Sequence, residues 1–181
     1  TGKYQLVSEF ECDKFNNLTD YGQGNIYIST FARGFCRYNT KTKQWKNYSS
    51  TMTDAAKGEL CNNWIHTLLT DHNGMLWIAT ATGVSCYDPK DESFNALGWK
   101  KLLDGKICYS LCEQADGDIL IGTDQGLYVY NRNTGKAVEY PHSELLKNKA
   151  IGFIVTDKEE DIWCSTSMGI WQYNKKTRRW V

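Results

Sequence analysis

The strongest constraint on this chain is one pattern written four times in it. A short hydrophobic run closes on a threonine, a glycine follows three or four residues later, and a tyrosine lies four residues beyond the glycine. The copies are Ile26-Tyr27-Ile28-Ser29-Thr30 with Gly34 and Tyr38, Leu76-Trp77-Ile78-Ala79-Thr80 with Gly83 and Tyr87, Ile119-Leu120-Ile121-Gly122-Thr123 with Gly126 and Tyr130, and Ile162-Trp163-Cys164-Ser165-Thr166 with Gly169 and Tyr173. Their glycines are 49, 43 and 43 residues apart, a period that belongs to stacked structural repeats.

Each copy spells a four-stranded antiparallel meander. Ahead of the anchor lies a run such as Trp64-Ile65-His66-Thr67-Leu68-Leu69 or Ile151-Gly152-Phe153-Ile154-Val155, rich in β-branched and aromatic residues. Asn73-Gly74 and Asp116-Gly117 then supply hairpin turns. The anchor strand follows, then the link to the glycine, a third strand, a polar turn, and a weaker fourth strand at 44–48, 93–97 and 136–140. A sheet this small must pack face to face with its neighbours, and four strands in 40 to 50 residues specify a β-propeller blade. Helical repeats of similar period are excluded, because the chain shows no sustained 3.6-residue apolar stripe.

The copies resemble the two-component regulator propeller repeat, whose pattern runs from Asp through a turn Gly to Leu-Trp-Ile-Gly-Thr, then Gly-Leu and a later Tyr-Asp or Tyr-Asn. Copy two carries it almost in full, as Asp71, Gly74, Leu76 to Thr80, Gly83-Val84 and Tyr87-Asp88. Copy three has Gln114 for the leading Asp and Leu120 for Trp, copy four has Glu160 for the turn glycine, and copy one has an extra residue between Thr30 and Gly34. The resemblance covers about residues 15 to 181. It implies the periplasmic sensor region of a Bacteroidetes hybrid two-component histidine kinase, with an oligosaccharide ligand and no chemistry of its own. A weaker similarity to the Asp-box of sialidases brings no catalytic cluster with it. A propeller lyase or glycosidase and a protein-interaction scaffold are the alternatives.

The ends of the repeat point to an all-β section of a larger, seven-bladed propeller. Thr1-Gly2-Lys3-Tyr4 aligns with Thr134-Gly135-Lys136-Ala137, so residues 1–14 read as the outer strand of a preceding blade. Blades are expected at 15–48, 64–97, 107–140 and 151–181, the last truncated in its outer strand. Four blades closing alone would need about 90° between neighbours, against about 51° for seven. The expected partners are therefore the remaining blades or a second copy, since open blade faces are larger than monomers tolerate.

Charge excludes one class of partner. Lysine plus arginine and aspartate plus glutamate number 21 each, so no basic field exists to hold a nucleic-acid backbone. No apolar run approaches the roughly 20 residues that span a bilayer. Seven cysteines fall mostly in strands, with no CxxC, and read as buried free thiols. Cys108 and Cys112, four residues apart, are expected on one face of their strand.

Recognition is expected where loops gather at one mouth of the propeller. Sugars require aromatic faces for stacking and planar polar groups for paired hydrogen bonds. The loop residues with that chemistry are Arg33, Asn63, Trp64, Trp99, Lys101, Asp124, Gln125 and His142. Trp77 and Trp163, recurring at one strand position, read as packing between blades. The three histidines share no spacing, and no nucleophile elbow, phosphate loop or carboxylate pair is present, so no metal, cofactor or catalytic residue is expected.

Overall fold

The computed structural model describes residues 14–51, 58–95 and 103–181. Trp99, Lys101 and the expected outer strand within residues 1–13 lie outside them. Four four-stranded antiparallel sheets follow one another, each meandering in chain order. Blade 1 holds β1 (Phe15–Gly22), β2 (Asn25–Thr30), β3 (Phe35–Asn39) and β4 (Trp45–Tyr48). Blade 2 holds β5 (Ile65–Thr70), β6 (Leu76–Thr80), β7 (Gly83–Asp88) and β8 (Ser93–Asn95). Blade 3 holds β9 (Cys108–Glu113), β10 (Ile119–Thr123), β11 (Gly126–Asn131) and β12 (Lys136–Glu139). Blade 4 holds β13 (Phe153–Thr156), β14 (Ile162–Thr166), β15 (Gly169–Asn174) and β16 (Arg179–Trp180). The first strands β1, β5, β9 and β13 lie side by side, and the fourth strands lie outermost. The fold is a β-propeller arc.

The repeated threonine and glycine form one device. Each anchor hydroxyl donates to the carbonyl of its glycine, at 2.7 Å for Thr30, 2.9 Å for Thr80, 3.0 Å for Thr123 and 3.3 Å for Thr166. The same oxygens accept backbone N–H groups of the link, from Arg33, Thr82, Gln125 and Met168. A hydroxyl that both donates and accepts thus closes the hairpin, which an alanine or valine could not do. Glycine is needed because this corner takes a positive φ, and at Gly34 a Cβ would also lie 2.1 Å from the Tyr48 carbonyl. The first hairpin turn imposes the same handedness: φ is 80° at Gly74, 87° at Gly117 and still 63° at Glu160. Glu160 therefore sits in a conformation that backbone sterics penalise.

Three apolar layers hold the blades together. Between blades 1 and 2, Tyr27, Phe35 and Tyr48 meet Leu68, Ile78 and Tyr87. Between blades 2 and 3, Trp77, Val84 and Cys86 meet Cys108, Leu111 and Ile121. Between blades 3 and 4, Leu120, Leu127 and Val129 meet Ile154, Ile162 and Tyr173. Among the described residues no two cysteines form a disulfide, and burial pushes the thiols of Cys86, Cys108 and Cys164 up to about 12, which leaves them unreactive near neutrality. Cys108 and Cys112 do not share a face: the first packs toward blade 2, the second toward blade 4. An extra residue in β9 shifts the alternation by one between them.

Candidate functional site

That extra residue recurs. β1 pairs with β2 through Phe15 and Asn17 but not Asn16, β5 pairs with β6 through Ile65 and Thr67 but not His66, and β9 pairs with β10 through Cys108 and Ser110 but not Tyr109. These are β-bulges, which locally re-aim a side chain. All three lie near the start of the inner strand, at the end where the outer-to-inner connections and the threonine links converge. Packing explains two of them: Ile65 and Leu68, and Cys108 and Leu111, each enter a single apolar layer although three residues apart. Strict alternation would put such pairs on opposite faces.

The bulges are stitched to the next blade. Thr67 Oγ1 donates to the Tyr109 carbonyl at 2.8 Å, Ser110 Oγ to the Ile151 carbonyl at 3.2 Å, and Asn16 Nδ2 to the Ile65 carbonyl at 2.7 Å. Two of the re-aimed residues are aromatic, and they join two others in a row that crosses three blades. Phe31 and Trp64 have ring centroids 4.4 Å apart, Trp64 and His66 6.4 Å, and His66 and Tyr109 5.1 Å. Trp64 is 41% exposed and Phe31 41%, so the row is open to solvent at its blade 1 end. Burial lowers the pKa of His66, and its ring is neutral near pH 7. Lys14 Nζ stands 5.7 Å from the centre of the Phe31 ring, within cation–π range. Phe31 and Trp64 stand on the connections and His66 and Tyr109 on inner strands, so the row ties the loops to the strand scaffold.

The residues expected from sequence divide into three groups. Trp64 belongs to the row. Asn63 and Asp124 hold the loops: Asn63 Oδ1 accepts the Ser50 N–H at 2.7 Å and its carbonyl accepts Gly34 N–H at 2.9 Å, while Asp124 Oδ1 accepts the Ile107 N–H at 3.2 Å. Arg33, Gln125 and His142 are exposed on different links of the same chain, and Gln125 Oε1 accepts Lys106 Nζ at 2.8 Å. Gln125 also lines a cavity of about 80 Å³ with Tyr128, Tyr140 and Glu144. His66 and Tyr109 were missed, and the signal that finds them is the i, i+3 apolar spacing in each inner run. Among the described residues no group of three or more histidine, cysteine or carboxylate side chains is placed to hold a metal.

Residues 59–82, which span the start of the row and the hairpin of blade 2, match the family model of the two component regulator propeller. The chain carries a two component regulator propeller repeat. In overall structure the propeller is similar to the extracellular domain of BT4673 from B. thetaiotaomicron, described as a one component system, with a TM-score of 0.80 at 19% identity over 98% of this chain and 23% of that one. It is similar also to the extracellular domain of the hybrid two component system BT3049 from the same organism, with a TM-score of 0.78 at 21% identity over 100% of this chain and 25% of that one. The virginiamycin B lyase of Staphylococcus aureus shares the fold with a TM-score of 0.67 at 16% identity, over 92% of this chain and 54% of that one. The propeller segment thus spans about a quarter of the two extracellular domains. No curated protein matches it in sequence. Among the described residues no helix is long and apolar enough to cross a membrane.

Proposed function

We propose that this segment is a non-catalytic sensor module on the periplasmic side of a hybrid two-component histidine kinase, and that it takes part in binding an oligosaccharide. The observation that carries the ligand class is the row Phe31, Trp64, His66 and Tyr109. Rings with centroids 4.4 to 6.4 Å apart, Phe31 and Trp64 open to solvent, offer aromatic surface to the apolar faces of sugars, and a neutral imidazole adds a hydrogen-bonding edge without charge. The repeat match and the similarity to extracellular domains of one- and two-component systems support the sensor reading. Signal transmission then requires that the ligand bind two states of the receptor with different affinity. The non-catalytic reading is supported by the repeat match and by the similarity to extracellular domains of one- and two-component systems.

The test is calorimetric titration of a panel of neutral and acidic oligosaccharides into the protein and into Trp64→Ala and Tyr109→Ala. Each truncation is expected to weaken binding about tenfold, the order of one lost stacking contact. Equal affinity in all three proteins would remove the row from the site.

A further inference from the structure

The aromatic row ends at Tyr109, and the residue that ends it lies in blade 4. In blades 2, 3 and 4 the residue after the re-aimed slot pairs with the anchor strand four residues before the corner glycine: Thr67 with Ala79, Ser110 with Gly122, and Phe153 with Ser165. One residue earlier stand His66, Tyr109 and Gly152. The apolar layers agree with that register. Ile151 and Ile154 enter the layer shared with blade 3, as Cys108 and Leu111 enter the layer shared with blade 2. Gly152 thus holds in blade 4 the slot that Asn16, His66 and Tyr109 hold in the first three blades.

Among the described residues nothing requires a glycine there. Its φ lies outside the left-handed region, and a Cβ would meet only Ser165 Oγ, at 3.4 Å, an ordinary contact. Gly122 is the opposite case, since a Cβ on it would lie 2.7 Å from the Ile151 carbonyl. Glycine gives up more conformational freedom on folding than any other residue. At a position where neither backbone nor packing needs it, what it supplies is space, and that space adjoins Tyr109. The Tyr109 ring is half-buried and meets the His66 ring at a centroid distance of 5.1 Å on its blade 2 side; among the described residues no other ring meets it. The blade-to-blade step that brings His66 beside Tyr109 would bring a side chain at position 152 to the other side of Tyr109. Glycine leaves only backbone at that place.

We propose that Gly152 keeps open a subsite at the blade 4 end of the row, in which one unit of the oligosaccharide lies against Tyr109, and that the size of residue 152 sets how long a saccharide the row accepts. The inference rests on the saccharide reading of the row. Asparagine, histidine or tyrosine, the occupants of this slot in the other blades, would fill the subsite.

The test is calorimetric titration of malto-, xylo- and galacturono-oligosaccharides of two to six units into the protein and into Gly152→Ala, Gly152→Asn and Gly152→Tyr. In the series that binds, one step in length should raise the affinity of the wild type and of Gly152→Ala about tenfold, the order of one stacking contact. That step should shrink in Gly152→Asn and vanish in Gly152→Tyr, while the shorter members bind all four proteins equally. Gly152→Asn, the smaller change, decides the matter if Gly152→Tyr does not fold. An equal step in the wild type and in the variant that decides overturns the subsite. A loss shared by short and long members also overturns it, because residue 152 would then act on the whole row. If no series binds the wild type, the saccharide reading itself fails and the subsite goes with it; binding in which only the length dependence is unaltered removes the subsite and leaves that reading standing.

Discussion

The junction of blades 1 and 2 and the junction of blades 2 and 3 fill the same two slots with opposite chemistry. In blade 2 the slots six residues apart hold Asp71 and Trp77, locked by an indole hydrogen bond and capped by Arg132. In blade 1 they hold Tyr21 and Tyr27, packed edge to face at 5.7 Å, and Tyr27 continues into contacts with Phe35 and Tyr87. One junction is a charged lock around an aromatic residue, the other an aromatic cluster. What the fold requires is that the two slots agree with each other; an acid without its tryptophan and cation would leave a charge in the interior.

The comparison breaks most sharply at its aromatic end. Tyr27→Ala removes a fully buried ring touched by three others and should cost about 4 kcal/mol in urea unfolding, the cost of a large cavity. Asp71→Ala should cost about 3 kcal/mol, because it strands the Trp77 N–H and the Arg132 guanidinium rather than opening space. That loss depends on pH. Burial alone would raise the Asp71 carboxyl, but Arg132, the Trp77 indole and the Met75 N–H together hold it below the usual carboxylate range. The unfolded chain then takes up the proton first as pH falls through about 4. Stability from Asp71 is complete above that pH and fades as pH drops through the folded-state value. The urea midpoint of Asp71→Asn should accordingly fall less on acidification than that of the wild type. At the small end, His72 contacts Glu113 at the rim of the same lock but is 59% exposed. His72→Ala should shift stability by less than about 0.5 kcal/mol, and a larger change would mean that the rim and the lock act as one unit.

The same contrast marks how far the sequence could be read. The meander, the blade count and the position of the corner glycines follow from local patterns, since turns and alternating strands write their requirements within a few residues. Trp77 was legible as packing between blades, but its bond to Asp71, like that of Trp163 to Asp157, spans a hairpin, and the cation that completes the first comes from 61 residues away. Asn63 and Asp124 have the chemistry of ligand contacts, and only the loop geometry shows them holding backbone N–H groups. Cys108 and Cys112 went to opposite faces because one unpaired residue, Tyr109, lies between them. Its effect is visible only once β9 is paired with β10.

The bulge carries a further meaning for the lineage of such chains. Because the backbone itself creates the outward position, and in blades 2 and 3 an apolar pair three residues apart secures it, the occupant of that position is set by its neighbours across the blades rather than by the core. Asparagine, histidine and tyrosine already share it across three blades. Three of the four blades thus carry one variable position at the same end of the inner strand, which can change without rewriting the core.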